Sequence, residues 1–446
     1  DPTIHVADEG LACRASDQRG HDPQSARRLA LSTLVLDYGG EHAPLHVRGG
    51  MIVAESEVRA DSIARRIDCA GSPPAEPGAV NAHTHLYSGL APLGMPAPTP
   101  APQTFVEILQ RVWWRLDRAL DEPSLRASAR LYVAEALLSG LTTLVDHHES
   151  PCLIERSLDG LADAAEELSS RLLVCYGATE RNGGPEEGAR GLHECRRFVR
   201  DNQRALVRGL VGLHASFTVS DATVRDAGAL ARELDTVLHV HVAEDGADVR
   251  DAVQRGFAGP LERLIALDAL PRGSILAHGV HLSRGQVAAA TDAGAWLVHN
   301  PRSNEGNRVG WARSLSASER VALGTDGYPA DMRAEGAALE RCARREERDV
   351  DLDALRRRLA RGRTIAAERY DDSEPMNLGS GREISIRDLA GMIGEFKGYR
   401  GRFVYDTSRP NGQPRRALDV TRARERIGFS ARTELADGLQ RTIEWW

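Results

Sequence analysis

The chain lacks the features of a membrane, secreted or nucleic-acid-binding protein. No apolar run approaches the ~20 residues that span a bilayer, and residues 1–28 have neither the basic nor the apolar region of a secretory signal. The formal net charge is -7, and the arginines are interleaved with acidic residues, so no basic face for phosphates is expected. These absences predict a cytoplasmic protein that acts on a small molecule, with neither a membrane nor a nucleic-acid partner.

The chain also lacks closely spaced cysteine pairs and has very little lysine. The six cysteines are scattered without a Cys-x-x-Cys pair, which argues against a disulfide framework and against a thiolate zinc site. Nearly all basic residues are arginines, and the single lysine is Lys397. Any chemistry that needs a lysine would therefore have to use this one residue.

Short apolar runs recur from Gly78 onwards, separated by segments with helical periodicity. Eight runs have the length and composition of strands that are buried on both faces, as parallel strands are. They are AVNAHTH, TTLVDHH, LLVCYGA, LVGLHAS, VLHVHVAE, SILAHGVH, WLVHNP and VALGTDG. Eight strand–helix units over roughly 250 residues predict an α/β fold, a (β/α)8 TIM-type barrel with its chemistry at the C-terminal ends of the strands.

The barrel is predicted to occupy residues 76–370. Residues 1–28 are expected to form a flexible leader, and the alternating apolar and polar residues of 29–75 predict a small β subdomain of short antiparallel strands. After Tyr370 the histidines disappear and the pattern of turns, helices and a strand changes. Residues 371–446 are therefore predicted to form a separate C-terminal α/β lobe.

Histidines are concentrated where the predicted strands end. Ten of the 15 lie at or near these ends: His83, His85, His147, His148, His214, His239, His241, His278, His281 and His299. Random placement would not give this clustering. It indicates a site for metal binding or proton transfer at the C-terminal end of the barrel.

Four of the residues at the strand ends are candidate metal ligands. His83 and His85 are two apart on one strand, so their side chains point to the same side of the pleat. His241 lies near the end of the fifth strand and Asp326 at the end of the eighth. Three imidazoles and one carboxylate suit one divalent ion, Zn2+ or alternatively Fe2+ or Mn2+, and leave a coordination position for water.

Glu244 and His278 are candidates for the chemical step. Glu244 follows His241 by three residues, where a carboxylate can take a proton from an activated water and pass it to a leaving group. His278 ends the sixth strand and can polarise a substrate carbonyl or imine.

Other residues near the strand ends are candidates for substrate contact or for support of the ligands. His281, His299 and Asn304 are candidate substrate contacts, and a supporting role is an open alternative for His281 and His299 as well as for His214. Asp146-His147-His148 is expected to support the metal ligands.

These stretches together resemble the amidohydrolase superfamily, and within it the SsnA-like aminohydrolase/chlorohydrolase branch. The matches cover most of residues 76–335 and include PGAVNAHTHLYSGLA, LTTLVDHHESP, HVHVAEDGADV, ILAHGVHLS, VHNPRSNEGNRVG and ALGTDGYPADM. The resemblance implies that His83, His85, His241 and Asp326 bind metal, that Glu244 shuttles protons, that His278 stabilises the intermediate and that Asp326 also accepts a proton from the attacking water. It further implies hydrolysis of a C–N or C–Cl bond on a heterocycle such as a purine, a pyrimidine or a triazine.

The same resemblance bears on the number of ions. Members of the superfamily with two ions usually bridge them with a carbamylated lysine on the fourth strand, but LVRGLVGLHAS has no lysine. We therefore expect one ion, unless a Glu or Cys replaces the bridge.

Residues 375–446 resemble a different family, the C-terminal lobe of GDP-L-fucose synthase and similar extended short-chain dehydrogenases. The matches are NLGSGREISIRDLA, DTSRPNGQPRRALDVTRA and ADGLQRTIEWW. The resemblance implies a grip on a nucleotide-diphosphate sugar, with Arg409, Asn411, Arg415 and Arg416 pairing with phosphate.

A bound NAD(P) is not expected. No Gly-rich dinucleotide fingerprint follows the first strand, and Ile393 stands four residues before Lys397, where a Tyr-x-x-x-Lys pair needs tyrosine.

The leading hypothesis is a mononuclear metal-dependent hydrolase of a small heterocycle, of the aminohydrolase or chlorohydrolase type. The alternative is a metal-dependent enzyme that acts on a GDP-sugar or related nucleotide sugar, as a hydrolase or as an isomerase or mutase, with the C-terminal lobe binding the nucleotide diphosphate. A third hypothesis is a binding protein on a degenerate barrel. In each case the tail can instead cover the barrel or mediate contacts in a homo-oligomer.

Overall fold

The computed structural model describes residues 33–37, 44–48, 51–53, 55, 58, 63–69, 77–347, 349–370, 384–403 and 434–445. They fall into two compact units, which divide between Tyr370 and Asp371. The larger unit contains two β-sheets. The described part of the smaller unit contains two helices that contact each other, Ile386–Phe396 and Leu435–Trp445.

Parallel strands in chain order form the main sheet. These strands are β5 (Ala79–Thr84), β6 (Leu141–His148), β7 (Arg171–Ala178), β8 (Val207–Gly209), β9 (Val211–Ala215), β10 (Leu238–Val242), β11 (Ile275–His278), β12 (Trp296–His299) and β13 (Val321–Leu323). Strand β8 pairs only with β7, and the other eight follow one another around the barrel. Each of the eight predicted runs coincides with one of these eight strands to within one residue at its start or overlaps it fully, so the predicted (β/α)8 barrel is confirmed.

The strands are apolar because they are covered on both faces. Leu144, Val174, Leu213, Val240 and Leu276, one from each of five neighbouring strands, are completely buried. Parallel barrel strands have side chains inside the barrel and helices outside it, so neither face meets water. This is why the runs show little of the alternation that marks a half-exposed strand.

Helices follow the strands along the chain. The longer ones are Glu122–Leu138, Ser157–Glu167, Pro185–Asp201, Asp221–Glu233, Gly246–Gln254, Pro260–Ala266, Arg284–Asp292, Met332–Glu346 and Leu352–Tyr370. The first of them buries Leu125, Ala129, Tyr132, Val133 and Ala136, which share one helical face. It begins with a capping box between Asp121 and Ser124.

A second, four-stranded sheet precedes the barrel. Its strands are β1 (Thr33–Asp37), β2 (Leu45–Arg48), β3 (Met51–Val53) and β4 (Ile63–Asp68), in the order β3-β2-β1-β4. Strand β2 pairs antiparallel with both β1 and β3, as expected, but β1 and β4 pair parallel. The prediction of antiparallel strands is therefore wrong for β4, because alternation of apolar and polar residues sets the buried face and not the direction of a strand.

The first and last barrel strands meet at the end of the barrel that carries the histidines. Thr84 and Asp326 form an isolated parallel bridge. The backbone N–H groups of Thr325 and Asp326 both donate to the carbonyl oxygen of His83 at 3.0 Å. The Asn81 side chain adds a further link, since its Oδ1 accepts from the N–H of Thr325 at 3.0 Å. This junction fixes His83 next to Asp326.

The helices of the described ranges are too short or too polar to cross a membrane.

Candidate metal centre and active-site cavity

Four imidazoles and one carboxylate converge at the C-terminal ends of the barrel strands. One ligand atom from each of His83, His241, His278 and Asp326 lies within 4.8 Å of the others. Nε2 of His85 is 2.8 Å from Oδ1 of Asp326 and 3.3 Å from Nε2 of His241. All five side chains are buried. The structure therefore brings the four predicted metal ligands together and adds His278 beside them.

Protein groups hold the outer nitrogen of each predicted imidazole ligand. Nδ1 of His83 meets Nε2 of His239 at 2.9 Å, Nδ1 of His85 donates to the carbonyl oxygen of His147 at 2.5 Å, and Nδ1 of His241 donates to the carbonyl oxygen of His214. A hydrogen bond at Nδ1 fixes both the tautomer and the ring orientation of a metal-binding histidine. The three Nε2 atoms are thereby left for a ligand at the centre.

The donor set fits a divalent cation. Nε2 of His83 is buried without a hydrogen-bond partner, 3.4 Å from Oδ1 of Asp326. Burial lowers the pKa of His83 to about 3 and that of His241 well below its usual value, so both rings are neutral, as metal ligands must be. Burial alone would raise the pKa of Asp326, but the adjacent imidazoles of His83 and His85 hold it well below its usual range. A carboxylate and neutral imidazoles at this spacing suit one ion of the zinc type.

His85 differs in its protonation from the other imidazoles at the centre. Burial alone would lower its pKa, but Glu149 and Asp326 raise it well above the usual value. This imidazole therefore carries a proton that a metal ion would displace, and metal binding is expected to release it.

One short helix after β12, Pro301–Gly306, reaches three functional side chains. Ser303 Oγ donates to Asp326 Oδ2, Asn304 Oδ1 accepts from His278 Nδ1 at 2.8 Å, and Asn307, just past the helix, donates from Nδ2 to Glu244 Oε1 at 3.2 Å. Sequence reasoning missed Ser303 and Asn307 and assigned Asn304 to the substrate, whereas the structure places Asn304 against His278. The polar residues of the PRSNEGN stretch, at helical spacing directly after a predicted strand, were the available evidence.

Glu244 and His278 lie next to each other. Oε2 of Glu244 is 3.6 Å from Nε2 of His278. Burial raises the pKa of Glu244 to about 7, which suits a group that both accepts and donates a proton near neutrality. His278 and Asp326 both have positive φ angles, 74° and 54°, a strained backbone conformation that is concentrated at functional sites.

Two predicted substrate contacts are not among the side chains that line the cavity. His281 is exposed and lines a surface groove together with Gln103 and Arg308. His299 is fully buried at the end of β12, and its Nδ1 is 3.0 Å from Nη1 of Arg358. Neither residue lines the cavity at the metal ligands, whereas His214 does.

The Asp146-His147-His148 stretch contacts the loop that carries His85. Asp146 Oδ1 accepts the N–H of Leu86 at 2.6 Å, and the carbonyl group of His147 binds His85. Nε2 of His148 is 2.8 Å from Oγ of Ser150. These contacts support the predicted role of the stretch in holding a ligand.

A cavity opens above the predicted ligands. Its apolar side is formed by aromatic and aliphatic side chains, Tyr87, Phe105, Leu109, Trp113 and Phe217. Its polar side is formed by Glu149, His214, Glu244, Asp248 and Asn307, together with the ligands His85, His241 and Asp326. A flat ring with polar edges is the kind of ligand that such a cavity accepts.

The phosphate-binding candidates of the C-terminal lobe, Arg409, Asn411, Arg415 and Arg416, lie outside the described residues. The nucleotide-sugar lobe stays a prediction.

We expect Asn307→Ala to lower kcat by about 10- to 100-fold with the metal content unchanged, because Glu244 loses the partner that orients its carboxylate. Steady-state kinetics and metal analysis check this. Asn202→Ala is the matched control, since this side chain donates to the carbonyl oxygen of Val207 at the start of β8, away from the C-terminal ends of the strands. Equal losses of kcat in the two variants would contradict the role of Asn307.

Comparison with known proteins gives a consistent picture. The model of the family described as Amidohydrolase family matches residues 75–359, more than half of the chain. The chain is 30% identical over 263 residues to 5-methylthioadenosine/S-adenosylhomocysteine deaminase of Desulforudis audaxviator, and the aligned region covers 57% of each of the two chains. It is 28% identical over 271 residues to 8-oxoguanine deaminase of Pseudomonas aeruginosa, and this alignment covers 56% of this chain and 59% of the relative. The chain thus spans little more than half the length of these relatives.

Solved structures share the fold. An adenosine deaminase from Xanthomonas campestris with bound zinc has a TM-score of 0.58 at 24% identity, over 74% of this chain and 80% of that one. Atrazine chlorohydrolase from Arthrobacter aurescens, complexed with zinc, has a TM-score of 0.60 at 22% identity, over 75% of this chain and 83% of that one.

Proposed function

Because the chain belongs to the amidohydrolase family, we propose that it is a mononuclear metal-dependent hydrolase that cleaves a C–N or C–Cl bond on the ring of a small heterocycle. The observation that carries this proposal is the position of Glu244, 3.6 Å from His278, on a cavity whose polar side also presents His241 and Asp326. Ligand atoms, proton shuttle and substrate cavity are then in one place.

His83, His85, His241 and Asp326 are the proposed ligands of one divalent ion. Zn2+ is the first choice, with Fe2+ and Mn2+ as alternatives, since three imidazole nitrogens and one carboxylate oxygen suit each of them. The zinc in the adenosine deaminase and chlorohydrolase structures supports this choice. When bound, such an ion polarises a water molecule and brings its pKa towards neutrality.

Glu244 and His278 then carry out the proton chemistry. Glu244 Oε2 takes a proton from the attacking water and delivers it to the leaving amino group, and its pKa of about 7 suits both steps. Asp326 is a further acceptor for a proton of the attacking water. His278 Nε2 faces Glu244 and stabilises charge that develops on the substrate ring, while Asn304 holds its Nδ1.

Purine bases and nucleosides are the proposed substrate class. The relatives named above are deaminases of 5-methylthioadenosine or S-adenosylhomocysteine and of 8-oxoguanine. The aromatic side of the cavity, with Phe105, Trp113 and Phe217, supports a planar ring, because such rings stack on aromatic side chains. Nucleotide sugars are not part of this proposal, since the residues that suggested them lie outside the described ranges. A cytoplasmic location and a homo-oligomeric assembly stay predictions.

The test is product release by the metal-loaded full chain. The panel contains adenosine, 5'-deoxyadenosine, 5'-methylthioadenosine, S-adenosylhomocysteine, guanine and 8-oxoguanine, with atrazine for chloride release and GDP-sugars for contrast. We expect ammonia from at least one purine, with kcat/KM in the usual enzymatic range of about 10⁴–10⁸ M⁻¹s⁻¹. Metal-loaded protein that releases neither ammonia nor chloride from any member would overturn the proposal.

A further inference from the structure

A second carboxylate, Glu149, lines the cavity on the far side of His85. It follows β6 directly and is only 2% exposed. Oε1 accepts a hydrogen bond from Nδ1 of His147 at 2.6 Å. Oε2 has no hydrogen-bond partner among the residues that the structure describes, and Nδ1 of His85 is 3.5 Å from it. Leaving a buried polar atom unpaired costs free energy. A hydrogen bond from a bound ligand to this oxygen would remove that cost.

The backbone of the neighbouring strand makes room for this pair. Gly177 lies on β7 opposite it, and a Cβ atom there would be 2.5 Å from Cε1 of His147 and 2.6 Å from Oε1 of Glu149. Any larger residue at position 177 would displace one of the two side chains. The placement of Glu149 therefore depends on glycine at this point of β7.

A second metal ion is the competing explanation, because His85, His147 and Glu149 place ligand atoms within 4.8 Å of one another. The hydrogen bonds argue against it. Nε2 of His147 is 3.0 Å from the carbonyl oxygen of Leu213, and its Nδ1 is 2.6 Å from Oε1 of Glu149, so protein atoms contact both nitrogens. Nδ1 of His85 is used by the carbonyl oxygen of His147. Both nitrogens of His147 and Nδ1 of His85 are thus engaged by protein groups, which leaves no free ring nitrogen on this side for a second ion.

We propose that Glu149 is a specificity-determining residue whose Oε2 accepts a hydrogen bond from an N–H or O–H group of the substrate. The inference rests on the proposed function and narrows its substrate class. Asp326 Oδ1 lies 2.8 Å from Nε2 of His85, and Glu149 Oε2 lies 3.5 Å from Nδ1 of the same ring. The donor therefore belongs to an edge of the heterocycle, or to a hydroxyl on its substituent, that is remote from the carbon under attack.

Paired substrates test this on the unaltered protein. Adenosine is compared with 2'-deoxyadenosine and 3'-deoxyadenosine, and guanine with 1-methylguanine and 9-methylguanine, so that each analogue lacks one donor. For the substrate that the enzyme turns over, we expect one analogue to lose about 10- to 100-fold in kcat/KM, mainly through KM, as is usual for a hydrogen bond to a charged group.

Glu149→Gln separates hydrogen bonding from bulk. With its oxygen on the side of His147 Nδ1, where Oε1 lies in the unaltered protein, the amide presents an NH2 donor in place of the acceptor Oε2. We expect the parent substrate to lose about 10- to 100-fold in kcat/KM and the gap to its analogue to close, with metal content unchanged. If the analogue is instead a poorer substrate because of its size alone, the difference in kcat/KM between it and the parent substrate would persist in Glu149→Gln.

Glu155→Gln is the matched control, because Glu155 follows on the same loop, is exposed and pairs with Arg190 on the surface. Its selectivity should equal that of the unaltered protein. If Glu149→Gln is insoluble, Glu149→Asp replaces it, because this variant keeps the charge. The comparison of paired substrates on the unaltered protein still tests whether a substrate donor is recognised.

A fall from two bound ions per chain to one in Glu149→Gln would overturn the inference together with the mononuclear assignment. Two results would overturn the inference alone while ammonia is still released. They are an unchanged gap in Glu149→Gln and loss of the single ion with selectivity unchanged. The last result would make Glu149 a positioning residue for His85. Absence of ammonia from every purine would instead overturn the proposed function, and this inference with it.

Discussion

Asp326→Ala is expected to leave the purified protein with less than about a tenth of its metal and without measurable turnover. Asp326 supplies the only carboxylate of the proposed ligand set, and its Oδ1 lies 2.8 Å from Nε2 of His85 and 3.4 Å from Nε2 of His83. Metal affinity depends on deprotonated ligands that are already in place, so removal of the anionic one has a large effect. His241→Ala should have a similar effect. Metal analysis after gel filtration without chelator measures both.

Two surface variants serve as controls for this experiment. Asp268→Ala removes a carboxylate that is largely exposed, and His193→Ala removes an exposed histidine from the helix Pro185–Asp201. Both should keep about one ion per chain. If Asp326→Ala and His241→Ala also retain nearly stoichiometric metal, the ligand assignment fails.

Glu244→Gln is expected to keep the metal and to lose about 10²- to 10⁴-fold in kcat. Glutamine has nearly the same shape, and its amide oxygen can still accept from Asn307 Nδ2, so substrate binding should change little. What is lost is a group that can accept a proton from water and return it to the leaving amino group. Ammonia release, with metal content measured on the same sample, gives both quantities.

The control for this variant is Glu262→Gln, on the helix Pro260–Ala266, where the carboxylate binds Gln286. It should leave kcat unchanged. Full activity of Glu244→Gln would refute the shuttle role, whereas simultaneous loss of metal would show that the residue holds the centre together.

The barrel could be predicted from the sequence because each of its strands and helices has a recognisable pattern within its own stretch of the chain. Each strand is a short apolar run buried on both faces, and each helix has one apolar face, so the alternation is visible without knowledge of the partners. The parallel pairing of β1 with β4 could not be predicted, since the direction of a strand depends on its neighbours in the sheet. The ranges on which the leader and the nucleotide-sugar lobe depend lie largely outside the described residues.

The ligands could be predicted for a similar reason. His83 and His85 share a face because strands alternate, and the end of a strand marks the depth of the site. Their partners could not be predicted, because His83 meets His239 across 156 residues and Ser303 meets Asp326 across 23. His281, a predicted candidate for substrate contact or for support of the ligands, lies in a surface groove and does not line the cavity at the predicted ligands. Such contacts follow from the packing of strand ends and not from spacing along the chain.

The junction of the first and last barrel strands has a consequence for folding kinetics. The bridge between Thr84 and Asp326 joins positions 242 apart, so its loop-closure entropy is among the largest in the fold. Loop-closure entropy must be overcome before contacts of this separation stabilise the chain, so we expect them to form late in folding. Two of the proposed ligands, His83 and Asp326, come from the two strands that this bridge joins. We therefore expect a bound ion to act mainly on the rate at which the closed barrel opens, as interactions formed after the transition state do.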